Sequence, residues 1–356
     1  MRATAIIGAN FGDEGKGHIV DFLADENAIV VRFNGGANAG HTVEADGVRR
    51  VFHHVGSGSL RGASTLLSEH FIVNPWLWEK EEQTTATYIH RDARLTTPYD
   101  MLVNQVIERS RGTARHGSCG VGINETATRC ETDRATHVRD IGDAFELREM
   151  LIAGREHART RLPFEPDPEF HSLLFDDGIL DSFVASCKRM VAKSIVVADY
   201  EVLKRHPRIL FEGAQGLLLD EHHRFFPHVT RSRTGTHNAR EISEQLGADL
   251  DVVYVTRSYM TRHGAGPFPT EMAFSHPDPT NVPNPWQGTL RFGALDLGLL
   301  NESIRADSAG LDACLAVNCL DQRFLDPGEI GESVGLPVKF TSYGPRRDQI
   351  VSYAAG

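Results

Sequence analysis

Two glycine-rich segments near the start of the chain contain residue types that can bind phosphate and move protons. The first segment, Gly12–Gly17, follows a strand-like run and contains Asp13 and Lys16. The second segment, Asn34–Val43, follows another strand-like run and contains His41. Backbone N–H groups of such loops and of helix N-termini attract anions, and a carboxylate can hold Mg²⁺ or accept a proton. The combination predicts an enzyme that transfers a phosphoryl group.

Both segments also have a simpler structural explanation. Gly12–Gly17 could be an ordinary turn between a strand and a helix, and His41 could be a buried histidine with satisfied hydrogen bonds. An acidic pair precedes Lys16, however, and a carboxylate facing a triphosphate is repulsive unless it holds a metal ion or acts as a base. Ligand sites of open α/β sheets collect at the ends of strands, where we place His41. These arguments favour the functional interpretation.

The rest of the sequence alternates strand-like and helix-like segments, which predicts an α/β fold with a large, mostly parallel central sheet flanked by helices. We expect one domain over residues 1–356. Expected helices cover Lys16–Leu23, Pro98–Arg109, 144–162, 181–205, Ala239–Gln245 and Leu295–Ala306. Further strands are expected around Val51–His54, Thr65–Val73, Arg208–Phe211, Asp251–Thr256 and Ala313–Val317, the last clear one. Residues 111–126 should be irregular, and the Gly- and Pro-rich residues 262–293 should form a long functional loop region.

Composition excludes several classes of protein. The 37 Lys and Arg against 48 Asp and Glu give a net charge of −11, which argues against nucleic acid as the main partner. The five cysteines are scattered without a C-x-x-C pair, so we expect neither a disulfide framework nor a zinc site. We find no leader-like segment and no apolar run long enough to span a membrane. The expectation is a reduced, cytoplasmic protein without a membrane partner.

Five ordered motifs between residues 4 and 325 resemble those of the adenylosuccinate synthetase family. They are Gly12–Gly17 with Asn34–Val43, His54–Gly58, Phe211–Gly216, Phe226–Thr230 and Thr261–Glu271. The resemblance implies a P-loop-like synthetase fold and a C–N bond-forming ligase of purine biosynthesis. In the family reaction a nucleoside triphosphate phosphorylates the 6-oxygen of a purine monophosphate. The amine of L-aspartate then displaces that phosphate.

The resemblance also implies roles for individual residues. Asp13 would remove the N1 proton of the purine, and His41 would donate a proton to the transferred phosphoryl group. Lys16 would stabilise developing charge, and Gln215 would hold the 6-substituent. Mg²⁺ would be held by the Asp13 carboxylate and the Gly40 carbonyl.

The implied binding residues fall into three groups. For the triphosphate they are Gly12, Asp13, Glu14, Gly15, Lys16, Gly17, Gly40, Thr42, Asn318 and Asp321. For the nucleotide substrate they are Asn38, Ser118, Cys119, Gln215, Thr230 and His263. For aspartate they are Thr289 and Arg291.

Three segments depart from the family pattern. Residues 112–126 lack the proline of the usual stretch beside the purine and instead carry Asn124 and Glu125. The Lys-Leu-Asp motif that reads guanine is replaced by Asn318-Cys319-Leu320-Asp321, so the lysine is absent. Residues 287–293 retain Arg291 where the family has several arginines.

These departures resemble a phage branch of the family that uses dGMP, with ATP or dATP, to make 2-aminoadenylosuccinate for 2-aminoadenine-containing DNA. A remodelled 112–126 loop could accept the 2-amino group of dGMP through Asn124, Glu125 or a loop carbonyl, because a buried amino group needs acceptors. Three alternatives remain open: an ordinary synthetase using IMP and GTP, a non-catalytic nucleotide-binding regulator, and a different P-loop ligase or kinase. The resemblance further implies a homodimer, with Arg129 or Arg134 reaching the partner's nucleotide. In the phage case the enzyme would act in the host cytoplasm.

Overall fold

A ten-stranded β-sheet runs through the molecule. The computed structural model describes residues 1–112, 115–132, 134–162, 164–165, 167–274, 276, 281 and 288–353. The first eight strands are β1 Arg2–Gly8, β2 Ala28–Arg32, β3 His41–Ala45, β4 Val48–Phe52, β5 Ser64–Leu67, β6 Ile72–Val73, β7 Thr87–His90 and β8 Arg94–Leu95. The others are β9 Ile195–Val197, β10 Arg208–Gly216, β11 Asp249–Arg257, β12 Tyr259–Arg262, β13 Arg291–Ala294, β14 Asp312–Asn318, β15 Val338–Ser342 and β16 Ile350–Ser352.

The strand order in the large sheet is β16-β15-β14-β11-β1-β10-β2-β5-β7-β9. Its neighbouring strands are parallel except for β16, which pairs antiparallel with β15 at one edge. This confirms the prediction of an α/β fold with a mostly parallel sheet. Strands β1 and β10 are adjacent at the centre of the sheet, with β11 beside β1 and β2 beside β10, so loops from distant parts of the sequence meet at one edge.

The helices are α1 Lys16–Leu23, α2 Pro75–Trp78, α3 Pro98–Ser110, α4 Ile123–Cys130, α5 Ala144–Thr160, α6 Pro168–Leu174, α7 Asp177–Lys193, α8 His237–Leu246, α9 Leu297–Asp307 and α10 Pro327–Val334. The start of α3 shows why the sequence begins a helix there. Thr97 caps it by accepting from the Asp100 N–H, Asp100 accepts in return from the Thr97 N–H, and Pro98 occupies the first helical position. In the described part of the chain no helix is long and apolar enough to cross a membrane.

Alternating residues of the central strands divide the core between the two faces of the sheet. Ile7 and Val31 belong to the cluster on one face, whereas Ile6 and Val30 belong to the cluster on the other. All four are fully buried, as expected for parallel strands that are covered on both sides. A third cluster packs α3, α5, α6 and α7 against β5 and β7.

Several sequence predictions need correction. The helix predicted over 181–205 starts at Asp177 and ends at Lys193, because the β-branched run Ile195–Val197 pairs with β7 as an edge strand. The expected strand Thr65–Val73 is two strands separated by a turn. Within the irregular region expected at 111–126, Ile123 begins helix α4, while residues 113 and 114 lie outside the described part. Strands β15 and β16 follow the segment that we expected to be the last strand.

Candidate active site

A cavity of about 640 Å³ opens at the carboxyl edge of the central strands. Both glycine-rich segments contribute to it, together with the ends of β10, β12 and β14. The predicted site residues that line the cavity are Gly12, Asp13, Glu14, Gly15, Lys16, Gly17, Asn38, Gly40, His41, Thr42, Cys119, Gln215, His263, Asn318 and Asp321. Most of the predicted set is therefore brought together, although its members come from residues far apart in the sequence.

The first glycine-rich loop turns sharply into helix α1. Gly12 and Gly15 have φ angles of 95° and 89°, which other residues rarely adopt, and Gly15 directly precedes the helix. Glu14 is buried beneath the loop, where its Oε1 accepts from the Gly12 N–H at 2.8 Å. Its Oε2 accepts from Lys16 Nζ at 2.8 Å. Glu14 thus holds the loop and pairs with Lys16 in this structure, rather than presenting a second free carboxylate to a triphosphate.

Asp13 is held by contacts from two other loops. Its Oδ2 lies 2.7 Å from Nε2 of His263, and its carbonyl oxygen accepts from Arg257 Nε. Burial by itself would raise the pKa of the Asp13 carboxyl, but the hydrogen bond and charge of His263, with Arg257 and Lys16, lower that pKa to about 2. Its φ of 60° is uncommon for a residue with a side chain. At neutral pH the Asp13 carboxyl is therefore ionised, the form in which a carboxylate can bind a metal ion or accept a proton.

His41 begins β3, the first strand of an antiparallel hairpin, and the glycine-rich loop before it follows the end of β2, as the sequence predicted. Its Nδ1 contacts Oε1 of Glu212, which also accepts from the Ser57 hydroxyl. Among the residues that the structure describes, Nε2 of His41 has no hydrogen-bond partner. Burial lowers the pKa of His41, and the negative charge of Glu212 opposes that shift. The free ring nitrogen of a neutral imidazole is thus available to the cavity.

Glu212 and Arg32 were not selected from the sequence as functional residues. They are direct partners on the neighbouring strands β10 and β2, and both are fully buried. Burial by itself would raise the pKa of Glu212, but the charges of His41 and Arg32 lower it to about 2. A charged residue inside an otherwise apolar strand is the sequence signal that could have identified both of them.

Buried oxygen atoms without partners also border the cavity. Within the described residues, Asn38 Oδ1, Thr42 Oγ1 and Asn318 Oδ1 are buried and make no hydrogen bond. Asn318 uses its amide nitrogen to donate to the Glu14 carbonyl at 2.7 Å, which ties β14 to the first glycine-rich loop. Buried polar atoms are normally hydrogen-bonded, so these oxygens indicate a site built for a polar ligand.

The segment that replaces Lys-Leu-Asp lies at one end of the cavity. Cys319, Asp321 and Gln322 all line it, although Gln322 was not in the predicted set. The Tyr259 hydroxyl donates to Gln322 Oε1 at 2.5 Å, which orients this amide. The amide nitrogen of Gln322 therefore remains as a donor for a ligand.

Four predicted residues lie outside the cavity lining. Ser118 donates its hydroxyl to Asn104 at 2.7 Å, and Thr230 donates its backbone N–H to the Leu219 carbonyl at 2.9 Å. Arg291 pairs with Glu271 and donates to the carbonyls of Gly264 and Gly266, beside His263. Thr289 is exposed.

Several residues that the sequence suggested for contacts with substrate or with a partner subunit make other contacts in the structure. Glu125 is buried against Arg161, and Asn124 is exposed and donates to Glu125, so neither side chain lines the cavity. Cys119 and Val121 of the same segment do line it. Arg129 is buried in a salt bridge with Asp100 at 2.9 Å, whereas Arg134 is exposed. Gln287 of the predicted aspartate loop lies outside the described residues.

The fold and the cavity define an α/β protein with a phosphate-type site at the carboxyl edge of a parallel sheet. The chain belongs to the adenylosuccinate synthetase family, whose model matches residues 5–322. Curated adenylosuccinate synthetases from Stenotrophomonas maltophilia and Xylella fastidiosa are 34% and 33% identical over 76% of this chain. The matched part spans 65% of the length of each of these relatives.

Two solved structures share the fold. The fully ligated adenylosuccinate synthetase of Plasmodium falciparum has a TM-score of 0.81 at 19% identity and covers 99% of this chain and 100% of its own. The succinoaminodeoxyadenylate synthetase of cyanophage S-2L, bound to dGMP and to dATP as an energy donor, has a TM-score of 0.65 at 17% identity. It covers 99% of this chain and 95% of its own.

Proposed function

We propose that this protein is a ligase that joins L-aspartate to C6 of a purine nucleoside monophosphate, using a nucleoside triphosphate. The observation that carries the proposal is the convergence of Asp13, Lys16 and His41 on one cavity. A potential base, a cation and an imidazole with a free ring nitrogen are the groups that transfer of a phosphoryl group to a purine oxygen requires. Family membership supports the same reaction class.

In the proposed reaction Asp13 takes the N1 proton of the purine, so that the 6-oxygen becomes a nucleophile. The oxygen attacks the γ-phosphorus and the nucleoside diphosphate leaves, while the imidazolium form of His41, protonated at Nε2 before transfer, donates a hydrogen bond to the transferring group. The aspartate amine then attacks C6, the phosphate leaves, and the amine loses a proton. Each turnover thus forms one C–N bond and converts one triphosphate to a diphosphate and inorganic phosphate.

The residues in the cavity fit Mg²⁺. The Asp13 carboxylate and the Gly40 carbonyl are oxygen ligands, which this ion prefers, and Gly40 lines the same cavity. The unpartnered Thr42 Oγ1 and Asn38 Oδ1 show that oxygen atoms without protein partners are available nearby. Bound there, Mg²⁺ would offset the negative charge of the phosphates during transfer.

For the substrates we propose dGMP as the nucleotide that is modified and ATP or dATP as the phosphate donor. Two departures from the family support this choice: Cys319 stands where a lysine precedes Leu-Asp, and the segment with Cys119 and Val121 is remodelled beside the cavity. Guanine, like hypoxanthine, has the N1–H and 6-oxo groups that the reaction uses. The cyanophage enzyme bound to dGMP and dATP supports the choice by its shared fold. A phage-encoded enzyme of this kind would work in the host cytoplasm and make a precursor of 2-aminoadenine.

The second candidate is an ordinary adenylosuccinate synthetase acting on IMP with GTP. Asp321 favours it, because a carboxylate in the cavity can accept from the N1–H and 2-amino groups of a guanine. The curated relatives named above also favour it. Asn124 and Glu125 do not line the cavity, so two proposed acceptors for the 2-amino group of dGMP are lost. Loop carbonyls remain as candidate acceptors.

For the other substrate and for assembly, we propose that Arg291 and Thr289 serve L-aspartate and that the protein is a homodimer. The contacts of Arg291 with the Gly264–Gly266 turn bring its guanidinium near His263, which lines the cavity. The exposed Arg134 is the candidate for reaching the partner's nucleotide.

The test is phosphate release by the purified protein with Mg²⁺ and L-aspartate, crossing dGMP or IMP with ATP, dATP or GTP. We expect turnover with dGMP and an adenine donor, and a product whose mass equals dGMP plus aspartate minus water. Reactions without aspartate and with Asp13→Asn are the controls, and near-full turnover by Asp13→Asn would contradict its assignment as base. Turnover only with IMP and GTP would establish the second candidate instead.

A Cys319→Lys variant tests the donor choice separately, because it restores the residue that the family uses. We expect the ratio of kcat/KM for GTP to that for ATP to rise at least about tenfold, since one well-placed side chain commonly shifts specificity by that much. An unchanged ratio would mean that Cys319 does not set the choice of base.

A further inference from the structure

Glu212 lies in the centre of the sheet, where a carboxylate needs strong compensation. Its Oε1 accepts from His41 Nδ1 and from the Ser57 hydroxyl, and its Oε2 accepts from the Ser57 N–H at 3.0 Å. The side chain is fully buried and does not line the cavity. Glu212 therefore touches the cavity only through His41.

These contacts fix the state of the His41 ring. An ionised carboxylate only accepts hydrogen bonds, so the proton of a neutral His41 must be on Nδ1. The other ring nitrogen, Nε2, has no partner among the described residues, and His41 lines the cavity. In this tautomer Nε2 is the atom that takes up and delivers a proton, while Nδ1 stays bound to Glu212.

Arg32 adds to the positive charge and hydrogen bonds that keep Glu212 ionised. It is the register partner of Glu212 on β2, and its side chain is completely buried. Its guanidinium makes no hydrogen bond within the described residues and lies over the Phe71 ring at 5.3 Å. A buried cation without hydrogen bonds is unfavourable unless its charge is offset, and the negative charges of Glu212 and Glu81 act on Arg32 in this way. The lowered pKa of Glu212 agrees with this pairing.

We propose that Glu212, supported by Arg32, is a positioning residue that holds His41 in the Nδ1–H tautomer and aims Nε2 at the transferring phosphoryl group. The catalytic part of this inference rests on the proposed ligase function, whereas the tautomer does not. When Nε2 gains a proton, the carboxylate also stabilises the resulting imidazolium. A serine protease uses a buried aspartate in the same way to orient its histidine.

The first experiment is ¹⁵N NMR of the ligand-free protein labelled at histidine. The His41 signals are assigned by their loss in a His41→Asn variant. We expect Nδ1 to carry the proton and Nε2 to be unprotonated at neutral pH. An Nε2–H tautomer in the wild-type protein would overturn the proposal, and this readout does not depend on knowing the substrates.

The second experiment compares kinetics of Glu212→Gln, Glu212→Asp and the control Ser57→Ala, using the nucleotide pair that the wild-type enzyme turns over. Replacing a group that orients a reactive ligand commonly lowers activity 10–100-fold, so we expect kcat of Glu212→Gln to fall by about 100-fold. Its KM for the triphosphate should change by less than about threefold, because Glu212 does not touch the ligand. Glu212→Asp should recover part of kcat, and Ser57→Ala, which keeps the carboxylate and His41, should stay within about threefold of wild type.

The outcomes separate the two proposals. A folded Glu212→Gln variant with kcat within about threefold of wild type would overturn the positioning role. If Glu212→Gln does not fold, the tautomer of His41 measured by NMR in the wild-type protein still tests the positioning role of Glu212. If the wild-type protein turns over no purine nucleotide, the proposed function fails, while the NMR result continues to test the orientation of His41.

Discussion

The molecule contains two buried carboxylate–histidine pairs that are similar in chemistry and different in surroundings. In the first, Nδ1 of His41 contacts Glu212. In the second, Nδ1 of His54 lies 2.7 Å from Oε1 of Glu81. Both histidines are buried, and both lie in motifs that the sequence analysis singled out. The two pairs differ in the contacts of the second ring nitrogen, Nε2, of each histidine.

Nε2 of His54 accepts from the Asn74 backbone N–H at 3.1 Å, and the ring packs edge-on against Phe71. Glu81 also accepts from the backbone N–H groups of His53, His54 and Val55. Every polar atom of the His54 ring is thus used to join the 53–55 turn to other segments. His41 keeps Nε2 for the cavity. The same side-chain pair is structural where both nitrogens are bound and suited to proton transfer where one is left free.

His41→Asn should have the largest effect on activity. Loss of a positioned proton-transfer group commonly lowers turnover 10²–10⁴-fold, so we expect kcat per folded molecule to fall by about 1,000-fold. His54→Asn is the matched control, and it should lower stability while kcat per folded molecule is retained. Steady-state kinetics and calorimetry of both variants measure the contrast. Equal loss of kcat in both folded variants would contradict the conclusion that the first pair acts in proton transfer and the second is structural.

Glu81→Gln should have a large effect on stability. The amide has one acceptor oxygen in place of two, so backbone N–H groups of the 53–55 turn and the His54 ring lose partners. Breaking one side of a buried charged pair commonly destabilises by 3–5 kcal/mol, and we expect a loss of about 3 kcal/mol. Urea unfolding at pH 7 measures it, with kcat as the second readout. A variant as stable as wild type but impaired in kcat would place Glu81 in the chemistry instead.

The pH dependence of unfolding tests the lowered pKa of Glu212, the carboxylate of the first pair. Its folded pKa of about 2 lies below its ordinary value of 4.5. The stability that its ionised form contributes is therefore present in full above about pH 4.5 and is lost as the pH falls towards 2. Glu212→Gln has no such titration, so its free energy of unfolding should decrease less steeply over this range than that of wild type. Parallel curves for the two proteins, from urea titrations at successive pH values, would contradict the lowered pKa.

Phe71→Leu should have the smallest effect. The Phe71 ring lies between the pairs, 5.7 Å from the His54 ring and 5.3 Å from the Arg32 guanidinium. A smaller apolar side chain should lower the free energy of unfolding by about 1 kcal/mol and leave kcat unchanged. A change in kcat larger than the stability loss can explain would show that the two pairs are coupled through this ring. Chemical unfolding and steady-state kinetics on the same preparation provide both values.

Much of the fold was predictable because its elements carry local signals. The buried strands β1, β2 and β11 each contain a mostly apolar run, and Pro98 after a capping threonine marks the start of α3. The errors arose where local pattern and tertiary contact disagree. Residues after Lys193 look helical, yet Ile195–Val197 forms an edge strand because β7 offers a free side for pairing. Helix α4 was not predicted because the glycine-rich segment that precedes it is typical of irregular structure.

The candidate site was predictable in its residues and much less so in their contacts. Asp13, Lys16 and His41 are recognisable because glycines and their place after strands mark them. Glu14 looks like a second ligand in the sequence, and only the fold shows that it is turned inward to Lys16. Asn124 and Glu125 look available for a base, yet Glu125 is buried against Arg161. Which atoms a side chain meets depends on segments that are distant in sequence.

The sequence by itself determined that strands end in glycine-rich loops carrying a carboxylate, a lysine and a histidine, because backbone sterics and apolar periodicity are local properties. Only the tertiary structure decided which partner each of these groups has. Lys16 is paired with Glu14, Asp13 with His263, and His41 with Glu212, and the last two pairs join residues more than a hundred positions apart in the chain. Hydrogen bonds and charges act over a few ångströms, so their effect depends on the neighbours that folding brings together.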